Sequence, residues 1–159
     1  MTQSHNEQID AYLEKCLGII EKHGWMVQSV GTSPMLHYTV GLEAKGHPEL
    51  VLLGVPPQVA QGVLNEAARQ LLAGEMAPRE WEDTQGVIRD FPVRFRKLTA
   101  AQTKALRIAL VFCEGEDLDA WLMVLPDEAG RFAGDPQVNP KFASLQDPVC
   151  LEAMGSEEQ

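Results

Sequence analysis

Around a polar link containing Gly46 and Pro48, the chain carries two apolar, β-prone runs, residues 35–42 and 50–55. Runs of that length bounded by turn formers predict two strands paired across a short loop, and the rest of the chain must then cover that pair. Side chains alternate sides in a strand, so Met35, His37, Thr39 and Gly41 share one face, and Leu36, Tyr38, Val40 and Leu42 the other. The second run is apolar at nearly every position, as a strand covered on both faces requires. The stretch also concentrates chemistry, because His37, Tyr38, Thr39, His47 and Glu49 fall within thirteen residues. Tyr38 fits either a core position with its hydroxyl bonded at the edge or a ligand contact, whereas His37 and Thr39 would face solvent or a covering helix.

The flanking segments supply the cover. Residues 4–7 carry a capping-box pattern, and Ile9, Tyr12, Leu13, Cys16, Leu17 and Ile20 recur every three or four residues. That spacing predicts an amphipathic helix buried along one face and ending at His23-Gly24. Residues 25–30 alternate as a strand would. Pro56 and Pro57 close the apolar run and open a helix, since a proline in the first turn lacks only an N–H with no partner there. Its stripe of Ala60, Val63, Leu64, Ala67, Ala68, Leu71 and Leu72 ends at Gly74.

Residues 87–98 predict one or two strands, with Phe91, Val93 and Phe95 on one side and Arg94 and Arg96 on the other. A second capping box, Thr99 with Gln102, opens a helix that Leu106, Ala109, Leu110 and Cys113 carry to Gly115. Residues 120–125 form a short buried strand, Pro126 to Gly130 its turn, and Pro136, Pro140 and Pro148 predict extended coil. The expected fold class is therefore α+β. Residues 1–150 make a single domain, with a mixed or mostly antiparallel sheet of about five to six strands and three main helices packed on it. Residues 151–159 are expected to fray.

A chain of 159 residues is long enough for one such core without metals or disulfides. The net charge of −10 is unevenly spread, with nine basic and twelve acidic side chains before residue 101 and four against eleven after it. Such a surface repels a phosphate backbone, so no nucleic-acid partner is expected. Cys16, Cys113 and Cys150 show neither paired nor zinc-ligand spacing, which fits a reducing compartment and argues against a metal. The N-terminus lacks a basic and apolar leader, and no run approaches the roughly 20 apolar residues of a membrane span. The expectation is a cytoplasmic protein with no membrane association and no cofactor.

Two blocks of residues carry a resemblance. Tyr38-Thr39-Val40-Gly41-Leu42 followed by Pro48-Glu49-Leu50-Val51 and Gly54-Val55-Pro56, preceded by His23-Gly24-Trp25, is similar to the bacterial family catalogued as a domain of unknown function, DUF4262. Pro126-Asp127-Glu128-Ala129-Gly130-Arg131-Phe132, with Gln146 and Pro148 further on, resembles that family's C-terminal signature. The resemblance spans about residues 20–150. At Leu125, Ala133 and Gly134 the chain lacks aromatics often found in the family, and the resemblance implies no activity.

Two function classes follow. There is no GxSxG, HExxH, P-loop or GxGxxG, and the histidines at 5, 23, 37 and 47 match no ligand spacing. The leading expectation is a non-catalytic module that binds a small ligand or a protein, with Tyr38, Arg94, Asp127 and Arg131 as ligand contacts. Arg94 belongs to the chain's one basic concentration, a stripe that fits either an anion site or a solvated strand face. Arg131 fits either a brace for Asp127 or a guanidinium offered to a carboxylate. The alternative is an enzyme acting on a small anionic substrate, with candidates His37, Thr39, His47 and Glu49, a histidine as general base and an arginine as anion clamp. A homodimer through the sheet edge is a third possibility. All of these place the segments around Tyr38 and Gly130 on one surface.

Overall fold

The computed structural model describes residues 2–113 and 117–156. Its elements in order are α1 (Thr2–His23), β1 (Met26–Val30), β2 (Leu36–Val40), a 3-10 turn (Glu43–Lys45), β3 (Glu49–Leu53) and α2 (Pro57–Leu72), followed by β4 (Arg94–Lys97), α3 (Ala100–Thr103), α4 (Arg107–Phe112), β5 (Ala120–Val124), α5 (Pro140–Leu145) and α6 (Cys150–Ser156). The five strands form one sheet in the order β1-β2-β3-β5-β4. Its pairings are antiparallel except for β3 with β5, which run parallel. The result is the expected single α+β domain with a mixed sheet.

Both faces of the sheet are packed. Leu50 and Leu52 of β3, Phe95 of β4 and Met123 of β5 meet Ala60, Leu64, Ala67, Ala68 and Leu71 of α2. Opposite them, Leu36, Tyr38, Val40, Val51, Leu53, Leu122 and Val124 meet Cys16 of α1, Ala105, Leu106 and Ala109 around α4, and Leu151 of α6. Every residue of β2 and β3 is buried. That explains the unbroken apolar run, since each fully buried leucine contributes about 2 kcal/mol by leaving water.

Several expectations need correction. Helix α1 begins at Thr2, so the backbone of Ser4 lies inside the helix rather than at its cap; the Ser4 side chain falls outside the description. Within its predicted stripe, Cys16 is buried, but Ile9, Tyr12 and Leu17 are exposed. Tyr12 still reaches Gln28 of β1 and Leu17 adjoins the buried Cys16, so length is the reason for Ile9 alone. A 22-residue helix spans about 33 Å at ~1.5 Å per residue, whereas a five-residue strand spans only about 17 Å, so the helix outruns the sheet it packs on.

Of residues 87–98, only Arg94–Lys97 join the ladder. Asp90 adopts a left-handed φ of 74°, and Pro92 has no N–H to give. The capping box at Thr99 forms as expected. Its helix, however, breaks at Leu106 (φ −89°, ψ 63°) into α3 and α4. The acidic run following α4 was expected to loop into solvent; its Glu114 and Glu116 lie outside the described residues, and Asp117 is exposed.

Of the three prolines expected to mark extended coil, Pro140 starts a helix, whereas Pro136 and Pro148 stand in turns. Pro140 occupies the first turn of α5, capped by Asn139, whose side chain accepts from the N–H groups of Lys141 and Phe142. Residues 151–156, expected to begin the frayed tail, belong to α6, which buries Leu151.

Candidate functional site

At the end of the sheet where β3 begins, Glu49 turns its carboxylate back into the loop that follows β2. It accepts from the Thr39 hydroxyl (2.7 Å) and from the main-chain N–H groups of Gly41 (3.0 Å), Leu42 (3.3 Å) and Glu43 (3.2 Å). Thr39 completes the junction by accepting from the N–H of Leu50 at 2.8 Å. The carboxylate thus satisfies donors exposed where the β2–β3 ladder stops and the 3-10 turn starts. Glu49 is only 1% exposed, and burial pushes its carboxyl up to about 7 against the Thr39 hydroxyl and the three N–H donors, which pull it down. His47 is half-buried on the same loop and donates its main-chain N–H to Leu42 O (3.1 Å).

His37 sits near the opposite end. Its Nε2–H donates to Val55 O (2.8 Å), a carbonyl that can only accept, while Nδ1 lies 2.7 Å from the Ser29 hydroxyl. Both ring nitrogens are engaged and the residue is fully buried. Tyr38 next to it points to the other face, as the pleat demands. Its hydroxyl accepts from the N–H of Ile108 (3.1 Å), in the first turn of α4. The expected core role with an edge hydrogen bond is what forms. It also gives the break in the helix a partner, since Tyr38 caps a donor that the start of α4 leaves open. Burial raises the phenol far above its ordinary range.

The loop after β5 is held by a second carboxylate. Asp127 Oδ1 accepts from the N–H groups of Ala129 and Arg131 (both 2.9 Å), and Oδ2 from Arg131 Nε and Asn139 N–H (both 3.2 Å). These bonds, the Arg131 N–H foremost, hold the Asp127 carboxyl below the usual range. Gly130 has φ 82°, and a Cβ there would stand 2.7 Å from the Phe91 ring. Gln146, from the same sequence block, donates to Leu125 O (3.0 Å) and accepts from Leu125 N–H (2.7 Å), standing in for a strand neighbour.

Arg94 is paired with Asp83 at 2.7 Å, and its guanidinium lies 4.3 Å from the Phe132 ring centre and 5.2 Å from that of Trp81. The basic stripe is thus braced by a carboxylate and aromatic faces.

The structure joins Thr39 to Glu49, and Asp127 to Arg131, and brings Arg94 against Phe132. It does not join His37 to either carboxylate. Nor do the Tyr38 and Gly130 segments line one cleft. Beside Tyr38 opens a cleft of about 360 Å³ bounded by Gln28, Val30, Thr32, Leu36, Ala105, Arg107, Ile108 and Met154. Beside Asp127 opens another of about 600 Å³, bounded by Phe91, Pro126, Glu128, Ala129, Arg131, Asn139 and Phe142. Their linings share no residue. Sequence reasoning missed Arg107, Ile108 and Met154, because the stripe of Leu106, Ala109, Leu110 and Cys113 runs on through the helix break without marking it, and Met154 gave no signal either. Among the described residues, no three His, Cys, Asp or Glu side chains converge as a metal site. No helix of the described residues is long and apolar enough to cross a membrane.

Fold and site together define a small α+β domain in which two carboxylate-clasped loops frame a two-faced sheet. The chain belongs to the family DUF4262, a domain of unknown function, whose model matches residues 19–139. The match ends before Gln146 and Pro148, short of the span to about 150 expected from the sequence. Both resembling blocks that lie inside it, around Tyr38 and around Asp127, are the clasped loops described above. No curated protein and no solved structure matches the chain.

Proposed function

We propose that the protein is a non-catalytic binding module that takes a small, largely apolar molecule bearing a carboxylate into the cleft beside Tyr38. The cleft itself carries this reading. It has the size usual for small-ligand sites and combines apolar walls from Leu36, Ile108 and Met154 with a few polar groups, Gln28, Thr32 and the exposed Arg107 at the rim. The Tyr38 hydroxyl bond to Ile108 fixes one wall against the sheet, so the site is preformed. Three free cysteines fit a cytoplasmic setting for such a module.

A protein-observed NMR screen of the methyl-labelled protein with small aromatic and aliphatic carboxylates tests it. Binders are expected to shift the Ile108 and Met154 methyl signals, and Met154→Trp, which fills the cleft, is expected to abolish binding. A screen that moves neither methyl, or binding that survives Met154→Trp, overturns the reading.

The alternative is an enzyme acting on a small anionic substrate, and the near-neutral carboxyl of Glu49 favours it. Against it, the Glu49 oxygens face inward to four donors, and both nitrogens of His37 are occupied. Turnover in a substrate screen that His37→Ala and Arg131→Ala both abolish, in variants shown to be folded, would replace the first reading with this one.

A further inference from the structure

The two edges of the sheet are treated differently. Edge strand β4 carries Arg94, Arg96 and Lys97, and the preceding segment covers it through bridges from Glu80 to Phe95 and Thr84 to Val93. Charges and a covering segment are the usual ways to stop a sheet edge from recruiting another strand. Edge strand β1, Met-Val-Gln-Ser-Val, has no charge, no proline and no cover among the described residues.

The register shows which groups it offers. Leu50 N–H reaches the Thr39 side chain and Gly54 N–H reaches Met35 O, so even-numbered residues of β3 face β2, and odd-numbered residues of β2 face β3. Leu36, Tyr38 and Val40 therefore face β1 and bond to Val30, Gln28 and Met26. By the alternation of an antiparallel ladder, Val27 and Ser29 turn their N–H and C=O groups to the open side.

That open side is the floor of a trench. One hollow of about 550 Å³ and another of about 240 Å³ share Ile19, Met26, Val27 and Gln61, with α1 forming one wall and α2 the other. The walls are pinned, because Trp25 Nε1 donates to Asn65 (2.9 Å) and the Tyr12 hydroxyl donates to Gln28. On a chain of net charge −10, no carboxylate lines either hollow; Lys15 and His23 do.

We propose that β1 is a docking strand, and that an extended, acidic segment of a partner protein adds to the sheet beside Met26–Val30 in the trench between α1 and α2. The main-chain groups of Val27 and Ser29 supply the ladder, and Lys15 and His23 select an acidic over a basic segment. A second copy of this chain fits less well, since its own β1 is recessed between the same two helices and brings the same basic groups. Gln28 and Val30 of this strand also line the Tyr38 cleft, but the ladder groups belong to Val27 and Ser29, which that cleft does not include, so Met154→Trp and N-methylation of the peptide test the two readings separately.

The test uses the full chain and a fluorescein-labelled ten-residue peptide of alternating threonine and valine ending in three aspartates, with a lysine-ended counterpart as control. Saturable anisotropy change with the acidic peptide, and slowed hydrogen exchange at the Val27 and Ser29 amides, are expected. Val27→Pro deletes an outward N–H but no bond to β2, and should weaken binding about tenfold or more. Lys15→Glu should weaken the acidic peptide roughly threefold or more while leaving an uncharged version unchanged. N-methylation of alternate peptide amides should abolish binding without altering the protein, which keeps the test decisive even if Val27→Pro misfolds. The proposal is overturned by binding indifferent to N-methylation, by equal affinity for the lysine-ended peptide, by no saturable binding, or by a concentration-dependent dimer that protects the same two amides.

Discussion

Glu49 and Asp127 do the same structural job at different loops with opposite electrostatic outcomes. Each carboxylate accepts four hydrogen bonds, three from main-chain N–H groups in one case and three in the other. The fourth donor is a neutral hydroxyl for Glu49 and the Arg131 guanidinium for Asp127. Glu49 lies closed off beneath its loop and is raised to about 7, whereas Asp127 borders an open cleft and is lowered. The number of donors therefore does not decide the charge state of a clasp. The balance between burial and the main-chain donors does: burial outweighs them at Glu49, and the Arg131 N–H foremost outweighs it at Asp127.

The largest expected effect comes from breaking the buried clasp. Glu49→Gln sets an amide NH2 against N–H donors that had an oxygen, and should cost about 2–4 kcal/mol in urea unfolding. Asp127→Asn should cost less, because Asp127, though itself buried, lines a cleft from which water can reach the groups left unpaired. Equal losses at the two sites would remove the distinction drawn between them.

Stability as a function of pH should split the two clasps by sign. The folded carboxyl of Glu49 is raised above the 4.5 of an ordinary glutamate, so the folded state holds the extra proton between pH 4.5 and about 7. Its contribution is greatest below pH 4.5 and is lost on rising through 7, on the order of 3 kcal/mol. Asp127 is lowered, so its contribution is present above the ordinary aspartate value of 3.8 and is lost as pH falls below it. Unfolding curves from pH 3 to 8 for the parent, Glu49→Gln and Asp127→Asn check this. The parent's decline toward pH 7 should be missing from the first variant and retained in the second.

The smallest contrast lies in the two loop glycines. Gly41 (φ 113°) would put a Cβ 3.0 Å from Ile20 Cγ2 and 3.3 Å from the Gly24 carbonyl, whereas the Cβ of Gly130 (φ 82°) would meet only the half-buried Phe91 ring. Backbone cannot swing aside and a ring can. Each alanine variant carries a strain of about 1–3 kcal/mol, with Gly41→Ala the costlier. Phe91→Ala should partly rescue Gly130→Ala, and a thermal melt reads both.

Much of this was legible beforehand. The pleat put Tyr38 on the aliphatic face, where a core role with its hydroxyl bonded was one of two readings, and the apolar run at 50–53 gave a strand buried on both sides. Pro57 and Thr99 each marked a helix start, because local signals of propensity and capping act within a few residues. The site was read less well. His37, Thr39 and Glu49 formed a cluster in sequence, yet β2 and β3 carry His37 to one end and the Thr39–Glu49 pair to the other. The functional look of those residues came from polar groups whose partners are main-chain atoms, and no residue pattern announces such partners.

The amino-acid sequence by itself determined the strands β1 to β3 and β5, the starts of α2 and α3, the two-sided burial of β3, and the acidic character of the chain, since period, propensity and charge are properties of short segments. Only the tertiary structure decided that α1 outruns its sheet, that the helix after Thr99 breaks where Tyr38 can cap it, that one edge strand is covered and the other open, and that two equivalent carboxylates titrate in opposite directions. Those outcomes depend on desolvation and on contacts between residues as far apart as Tyr38 and Ile108, and both exist only once the chain has closed on itself.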